Sequence, residues 1–285
     1  MWIKWITIIG VLIIVCLGIA AIYGNYRWQS DTDKLRAKLI NGQRTIKPQI
    51  YDQKEIEALP APVQRFFKIV LKEGQPIVAV INLSQTGKFN MSETEAKWSP
   101  FTATQFVITQ RLGFDWDARI QMAPGLNAFV HDTYLLGEGY LHASLLGLVT
   151  LAKMHGTPEL AQGELLRFFA EAAWYPTALL PSQGVLWEAI NDNSARATLT
   201  DGAITVSLVF SFNPEGTIAT FRSEARYRMD GDKLTAMPWS GRFWGYAVRN
   251  GMLIPLEGEV GWEHPEGTRL YWKGQITDID YTKNG

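Results

Sequence analysis

Four histidines, one serine and a pair of glutamates flanking an arginine are the groups in this chain whose types and spacing could do chemistry. His131, Asp132 and His142 would form a metal or acid/base set, but they match no ligand-spacing signature, and in a strand Asp132 points away from His131. His131 and His142 are therefore expected on a solvent-facing strand surface with Thr133, Glu138, Tyr140 and Ser144. Ser144 lacks the G-x-S-x-G elbow and the strand-to-helix setting of a hydrolase nucleophile. Glu164 and Glu171 stand two helical turns apart, about 10.5 Å along a helix, beyond the roughly 5 to 9.5 Å of paired catalytic carboxylates. Arg167 between them would keep both ionised, so Glu164, Arg167 and Glu171 read as a salt-bridged polar seam. Arg222, Arg226 and Arg228 align on one strand face with Glu224 and read as a solvated face. Cys16 is the only cysteine, and no phosphate loop, dinucleotide fingerprint or zinc motif occurs. The expectation is no metal and no cofactor, with enzyme as the lesser reading; a hydrolase would have to use His131, Glu138 or Glu164.

The seam lies on the segment that must organise the fold, Thr157 to Pro181. Thr157 is a good N-cap, Pro158 suits the first helical position, Glu159 faces the positive end of the dipole, and Pro176 stops the helix. Leu165, Leu166, Phe168, Phe169, Ala172, Ala173 and Trp174 leave little but the seam polar. A helix apolar around most of its circumference must be buried, so 157–181 reads as a helical plug.

Around it the periodicity is that of strands. Asp52 with Glu55 makes an aspartate version of the capping box, and Val63, Phe66, Phe67 and Val70 give a helical stripe starting near Ala61, so helices are expected over 52–73. From Ile77 the period is two: Phe114, Trp116, Ala118, Ile120 and Met122 alternate with Asp115, Asp117, Arg119 and Gln121, a half-buried strand. Strands are expected over 77–154 and 184–281, ten or eleven in all, with turns at Asn213-Pro214-Glu215-Gly216, Asp230-Gly231, Asn250-Gly251 and Pro265-Glu266-Gly267. Gly137, Gly139, Gly241, Gly245, Gly258 and Gly274 fall on apolar faces, where glycine marks bending or close approach. The expected fold is α+β, mostly antiparallel: a strongly curved half-barrel sheet wrapping the plug. A net charge of −1 gives no reason to expect nucleic acid. Eleven tryptophans, with thirteen Phe and ten Tyr, suit either an aromatic core or a large apolar cavity. In the second case Leu165, Phe168, Phe169, Trp174, Tyr175, Trp187, Trp239, Phe243 and Trp262 would line a site for a hydrophobic ligand.

Between Lys4 and Arg27 run 22 uncharged residues, about 33 Å as a helix against a hydrocarbon core of about 30 Å. Trp2 and Trp5 on one side and Tyr23, Tyr26 and Trp28 on the other sit where interfacial aromatics belong. Ile19-Ala20-Ala21 is a poor cleavage site, so an uncleaved anchor over 1–28 is expected, followed by a stalk over 29–50 and a single domain over 51–285. Asp31 could cap a separate stalk helix ended by Asn41-Gly42.

The motifs LPAPVQRFF (59–67), GELLRFFAEAAWYPTALL (163–180), FNPEG (212–216), RYR (226–228) and PWSGRFWGY (238–246) resemble a bacterial family known only as a conserved domain of unknown function. The resemblance runs from about Leu59 to the C-terminus; the family pattern has an acidic residue where this chain has Gly245. It implies no catalytic residue. The order of helix, strands, plug and strands also looks like the periplasmic Lol-type lipoprotein carriers, which would imply binding of a lipid or acyl chain. Arg27, Lys34, Arg36 and Lys38 after the span place the domain in the cytoplasm by the positive-inside rule. The signal-like position of the span and the Lol resemblance point the other way, and a periplasmic or extracellular domain is the expectation. A solid-cored structural or protein-interaction domain is the remaining alternative.

Overall fold

The computed structural model describes residues 2–43, 49–92, 95–230 and 233–283. Its first element, α1 (Trp2–Gly42), is one continuous helix, about 62 Å long. No separate helix begins at Asp31, since nothing in that region breaks the ladder; Asn41-Gly42 ends the rod as expected. Trp2 to Tyr23 form its apolar part, long and apolar enough to cross a membrane and unburied by the rest of the chain. The later turns instead lie against the sheet. Gly24 is required there, because a Cβ would fall 2.2 Å from the Leu146 carbonyl oxygen.

After α1, a short turn of helix at Gln53–Ile56 is capped by Asp52, whose carboxylate accepts from the Lys54 amide at 2.9 Å. Glu55 does not complete a capping box; its carboxylate accepts from the Ser182 amide. Behind Pro60, α2 (Ala61–Val70) buries the expected Val63, Phe66, Phe67 and Val70.

Among the described residues, thirteen strands form one antiparallel sheet in two meanders. The first comprises β1 (Val78–Asn90), β2 (Trp98–Ile108), β3 (Gly113–Ala123), β4 (Leu126–Leu135), β5 (Glu138–Leu145) and β6 (Val149–His155). The second comprises β7 (Leu186–Asn191), β8 (Ser194–Asp201), β9 (Ile204–Phe212), β10 (Ile218–Asp230), β11 (Lys233–Arg249), β12 (Met252–His264) and β13 (Gly267–Lys283). Pairing of β1 with β13 joins them, so the order is β6-β5-β4-β3-β2-β1-β13-β12-β11-β10-β9-β8-β7. The count exceeds the expected ten or eleven. Edge strands β6 and β7 are mostly exposed on both faces, so they carry little alternating signal. The strand order gives an open antiparallel sheet, and a strong curl is no part of it. Of the expected turns, Asn250-Gly251 has both residues at positive φ, as its type requires; the turn at Asp230-Gly231 runs into 231–232, outside the described residues.

The connection from β6 to β7 is α3 (Pro158–Glu171), capped by the Thr157 hydroxyl, which accepts from the Leu160 amide at 3.2 Å. It ends at Glu171, four residues before the expected stop. Three single turns of tighter helix follow, the last two opened by Pro176 and Pro181. Helix α3 packs against β3, β4 and β5 from one meander and β9 and β10 from the other. Leu165, Leu166, Phe168 and Phe169 are at most 1% exposed.

The outer face of the first meander departs from expectation. β3 is buried on both faces through Ala118, because α1 covers Asp115 and Asp117. Trp28 Nε1 donates to Asp117 at 2.8 Å, Thr32 Oγ1 donates to the same carboxylate at 3.2 Å, and Arg36 Nε reaches Asp115 at 3.0 Å. His131, expected in solvent, is 1% exposed; it stacks on Trp28 at 4.5 Å, with Nδ1 2.8 Å from Asp115. The polar residues of this face are there to meet a helix that brings its own donors.

Truncation of the plug tests its place in the core: Phe169→Ala should destabilise the detergent-solubilised chain by about 3 to 5 kcal/mol in urea unfolding. A loss below about 1 kcal/mol, usual for surface changes, would mean that α3 is a movable lid.

Candidate functional site

Helix α3 does not fill the space it faces. Beside its C-terminal half a cavity of about 620 Å³ remains, walled by Arg167, Ala170, Glu171 and Trp174 of the helical connection. The first meander contributes Trp116, Ile120, Ala128, Val130, Asp132, Leu141, Ala143 and Leu151, and the second Phe221, Trp239, Phe243, Val260, Trp262, Tyr271 and Trp272. The space exists partly because Ala128, Ala143 and Ala170 stand where larger side chains would close it. The aromatic wall is held by ring contacts: Trp174 meets Phe243 edge-on at 6.0 Å, Phe221 lies 4.8 Å from Trp239, and Trp262 stacks on Tyr271 at 5.9 Å. Rings locked in this way keep the cavity formed without a ligand.

Of the nine residues expected at such a site, Trp174, Trp239, Phe243 and Trp262 stand on its wall. Leu165, Phe168, Phe169 and Tyr175 lie outside the lining, in solid core, where the Tyr175 hydroxyl donates to the Phe168 carbonyl at 2.8 Å. Trp187 packs on Phe67 and Phe210 instead, donating to the Leu179 carbonyl at 2.9 Å. Trp116 and Ile120 were available from the alternation in β3. Tyr271 was not: a register shift opposite Val260 and Gly261 lets the consecutive residues Leu270, Tyr271 and Trp272 all line the cavity.

The polar side of the cavity is built from charges that compensate one another. Arg167 reaches Glu171 at 2.8 Å and also bonds Asp132, with its guanidinium 4.9 Å from the Trp116 ring centre. Glu164 leaves the expected seam and pairs with Arg226 at 3.3 Å. Arg226, expected on a solvated face, is only 7% exposed. Its Nε donates to the Gly163 carbonyl at 3.0 Å, its Nη1 to the Tyr271 hydroxyl at 3.1 Å, and its guanidinium lies 4.6 Å from the Trp239 ring centre. A buried arginine needs this kind of full partnership. Burial pushes the Glu164 carboxyl well above its usual range, and the charge of Asp132 adds to that, against Arg226 and Arg167. The three residues a hydrolase would use are not brought together: His131 is under α1 on the other face of the sheet, Glu138 is exposed at the start of β5, and Glu164 bonds Arg226.

Glu164 makes stability fall with pH. The folded chain keeps a proton that the unfolded chain releases near pH 4.3, so this contribution is complete below that value and is lost as pH rises towards the raised one. Asp115 acts with the opposite sign: despite burial, His131 and Arg36 hold it low, so its contribution is lost only on acidification below about pH 3.9. Glu164→Gln should therefore flatten the decline of melting temperature above about pH 4.3; an unchanged slope would contradict the assignment to Glu164.

No curated protein sequence matches the chain. Among solved structures it is similar to a LolA superfamily protein from Nitrosomonas europaea, with 9% identity, 79% of this chain and 95% of that one covered, and a TM-score of 0.36. It is also similar to a domain assigned to outer membrane lipoprotein sorting from Vibrio parahaemolyticus, with 8% identity, 72% and 86% covered, and a TM-score of 0.38. Likeness at these scores carries no argument about the ligand or the activity. The sequence itself matches one family over residues 57–281, a range that takes in every motif from Leu59 onward. The chain belongs to the family of unknown function DUF6920.

Proposed function

We propose that this chain is a membrane-anchored carrier domain that holds a lipid or other hydrophobic ligand between α3 and the inner face of the sheet, in the handling of envelope lipids or lipoproteins. The observation that supports the reading is the aromatic-walled cavity of about 620 Å³, a size within the usual range for small-molecule sites. Arg167 and Arg226 already hold carboxylates, so the ligand need bring no charge of its own into the cavity. An uncharged apolar segment such as an acyl chain suits it best.

The reading takes the apolar turns up to Tyr23 as the anchor, narrower than the expected 1–28 because Gly24 and Trp28 are docked on the sheet, with the rest of α1 held on the sheet in place of a free stalk and 51–285 as the carrier domain, placed in the periplasm or outside the cell.

The test is native mass spectrometry of the chain purified from its own membrane, with titration of a fluorescent fatty acid. A co-purifying lipid-like mass and saturable binding are expected, and Ala143→Trp, which fills the cavity, should weaken binding at least about tenfold, the loss of about 1.4 kcal/mol, with little change in melting temperature. Empty protein that also fails to bind the probe would end the carrier reading.

A further inference from the structure

The contacts of α1 fix which end of the molecule faces the membrane. Followed backwards, the helix meets Leu136 at Gly42, Phe106 and Ile108 at Leu39, Asp115 at Arg36, Asp117 and Phe129 at Trp28, and Leu146 and Leu148 at Gly24. These partners run from the turns β2–β3 and β4–β5 to the turn β5–β6 at the opposite end of the strands. The apolar turns Trp2 to Tyr23 therefore leave the protein beside β5–β6. Because the sheet is antiparallel throughout, that end also carries the last residues of β1, β3, β10 and β12 and the first of β4, β6, β11 and β13. The cavity is lined from the same end, by Met91, Ile120, Leu151, Met229 and Leu270 among others. Leu151 and Met229 are 52% and 39% exposed although they line it, so the cavity opens there, and Val149 beside Leu151 is 60% exposed.

We infer that the open end of the cavity rests on the lipid bilayer that α1 enters, with Val149, Leu151 and Met229 in the interfacial layer. The occupant of this apolar rim is a lipid surface because the rim lies at the end of the strands from which α1 leaves, and the uncharged run Trp5 to Tyr23 beyond Gly24, 19 residues or about 28 Å as a helix, approaches the thickness of a hydrocarbon core. The docking of α1 is rigid: Trp28 and Leu39 are at most 2% exposed, and Arg36 reaches the buried Asp115. The domain is thus held against the membrane, with little freedom to swing on a tether. Resting on the carrier reading above, this geometry lets an acyl chain pass between bilayer and cavity without crossing bulk water.

The experiment uses the full chain in lipid nanodiscs, with Cys16→Ser and single cysteines introduced as Val149→Cys, Leu151→Cys or Met229→Cys, each carrying an environment-sensitive fluorophore. Leu136→Cys and Val248→Cys, at the far end, are the controls. At the three rim positions the emission should shift to the blue and be quenched by doxyl-labelled phosphatidylcholine, while the far-end positions show neither. Equal exposure to water at both ends would overturn the inference, and so would a blue shift without doxyl quenching, which marks a protein partner. Rim quenching in a protein that yields no ligand would leave the geometry standing and remove the carrier reading; a bound ligand without rim quenching would do the reverse.

Discussion

A helix that is apolar on most of its circumference cannot be satisfied by one packing surface, and α3 sets that requirement for the whole molecule. With Leu165, Leu166, Phe168 and Phe169 all buried, it needs cover from several directions, and both meanders supply it. The pairing of β1 with β13 makes this possible by joining the first and last strands of the chain inside the sheet, so that the edges β6 and β7 are the two ends tied to the helix. Gly139 shows how close the contact is: a Cβ there would lie 2.7 Å from the backbone of Leu160. Where the cover stops, beside Trp174, the cavity begins.

Charge is handled by the same rule on both faces of the sheet. Buried ionised groups are tolerated when every one has a partner. On the inner face Arg167 is matched to Asp132 and Glu171, and Arg226 is held by the Gly163 carbonyl, the Tyr271 hydroxyl and the Glu164 carboxyl, with aromatic rings beneath both. On the outer face Asp115 and Asp117 are matched to Arg36, Trp28, Thr32 and His131. The first network shapes one side of the cavity, and the second fastens the apolar helix to the domain.

Elements with strong local signals were legible in the sequence. The Thr157 cap, the Ala61 start of α2, the Asn250-Gly251 turn and the inward row of β3 are all set by neighbouring residues, and they stand as read. What failed were statements about the second face of an element, which depend on residues far away in the chain. His131 and Asp115 look like a wetted strand surface until α1 is laid over them, its Thr32 lying 99 residues before His131 and its Arg36 lying 79 before Asp115. Arg226 looks like a surface charge until Glu164, 62 residues earlier, meets it. The aromatic wall was only partly legible for a related reason: periodicity marks which tryptophans face inward, but not which of them meet a neighbour and which meet open space. Leu165 and Phe168 meet neighbours, whereas Trp174 and Trp262 face the cavity.

The central claim is that the space beside Trp174 is a ligand site and not a packing fault of the core. An experimental density map of the chain purified from its own membrane tests this most directly, read between Trp174, Trp239 and Trp262. Elongated density unaccounted for by protein, running from these rings towards Leu151 and the membrane end, is the expected result. A cavity that holds only ordered water, or that has closed by inward movement of its aromatic wall, would contradict it.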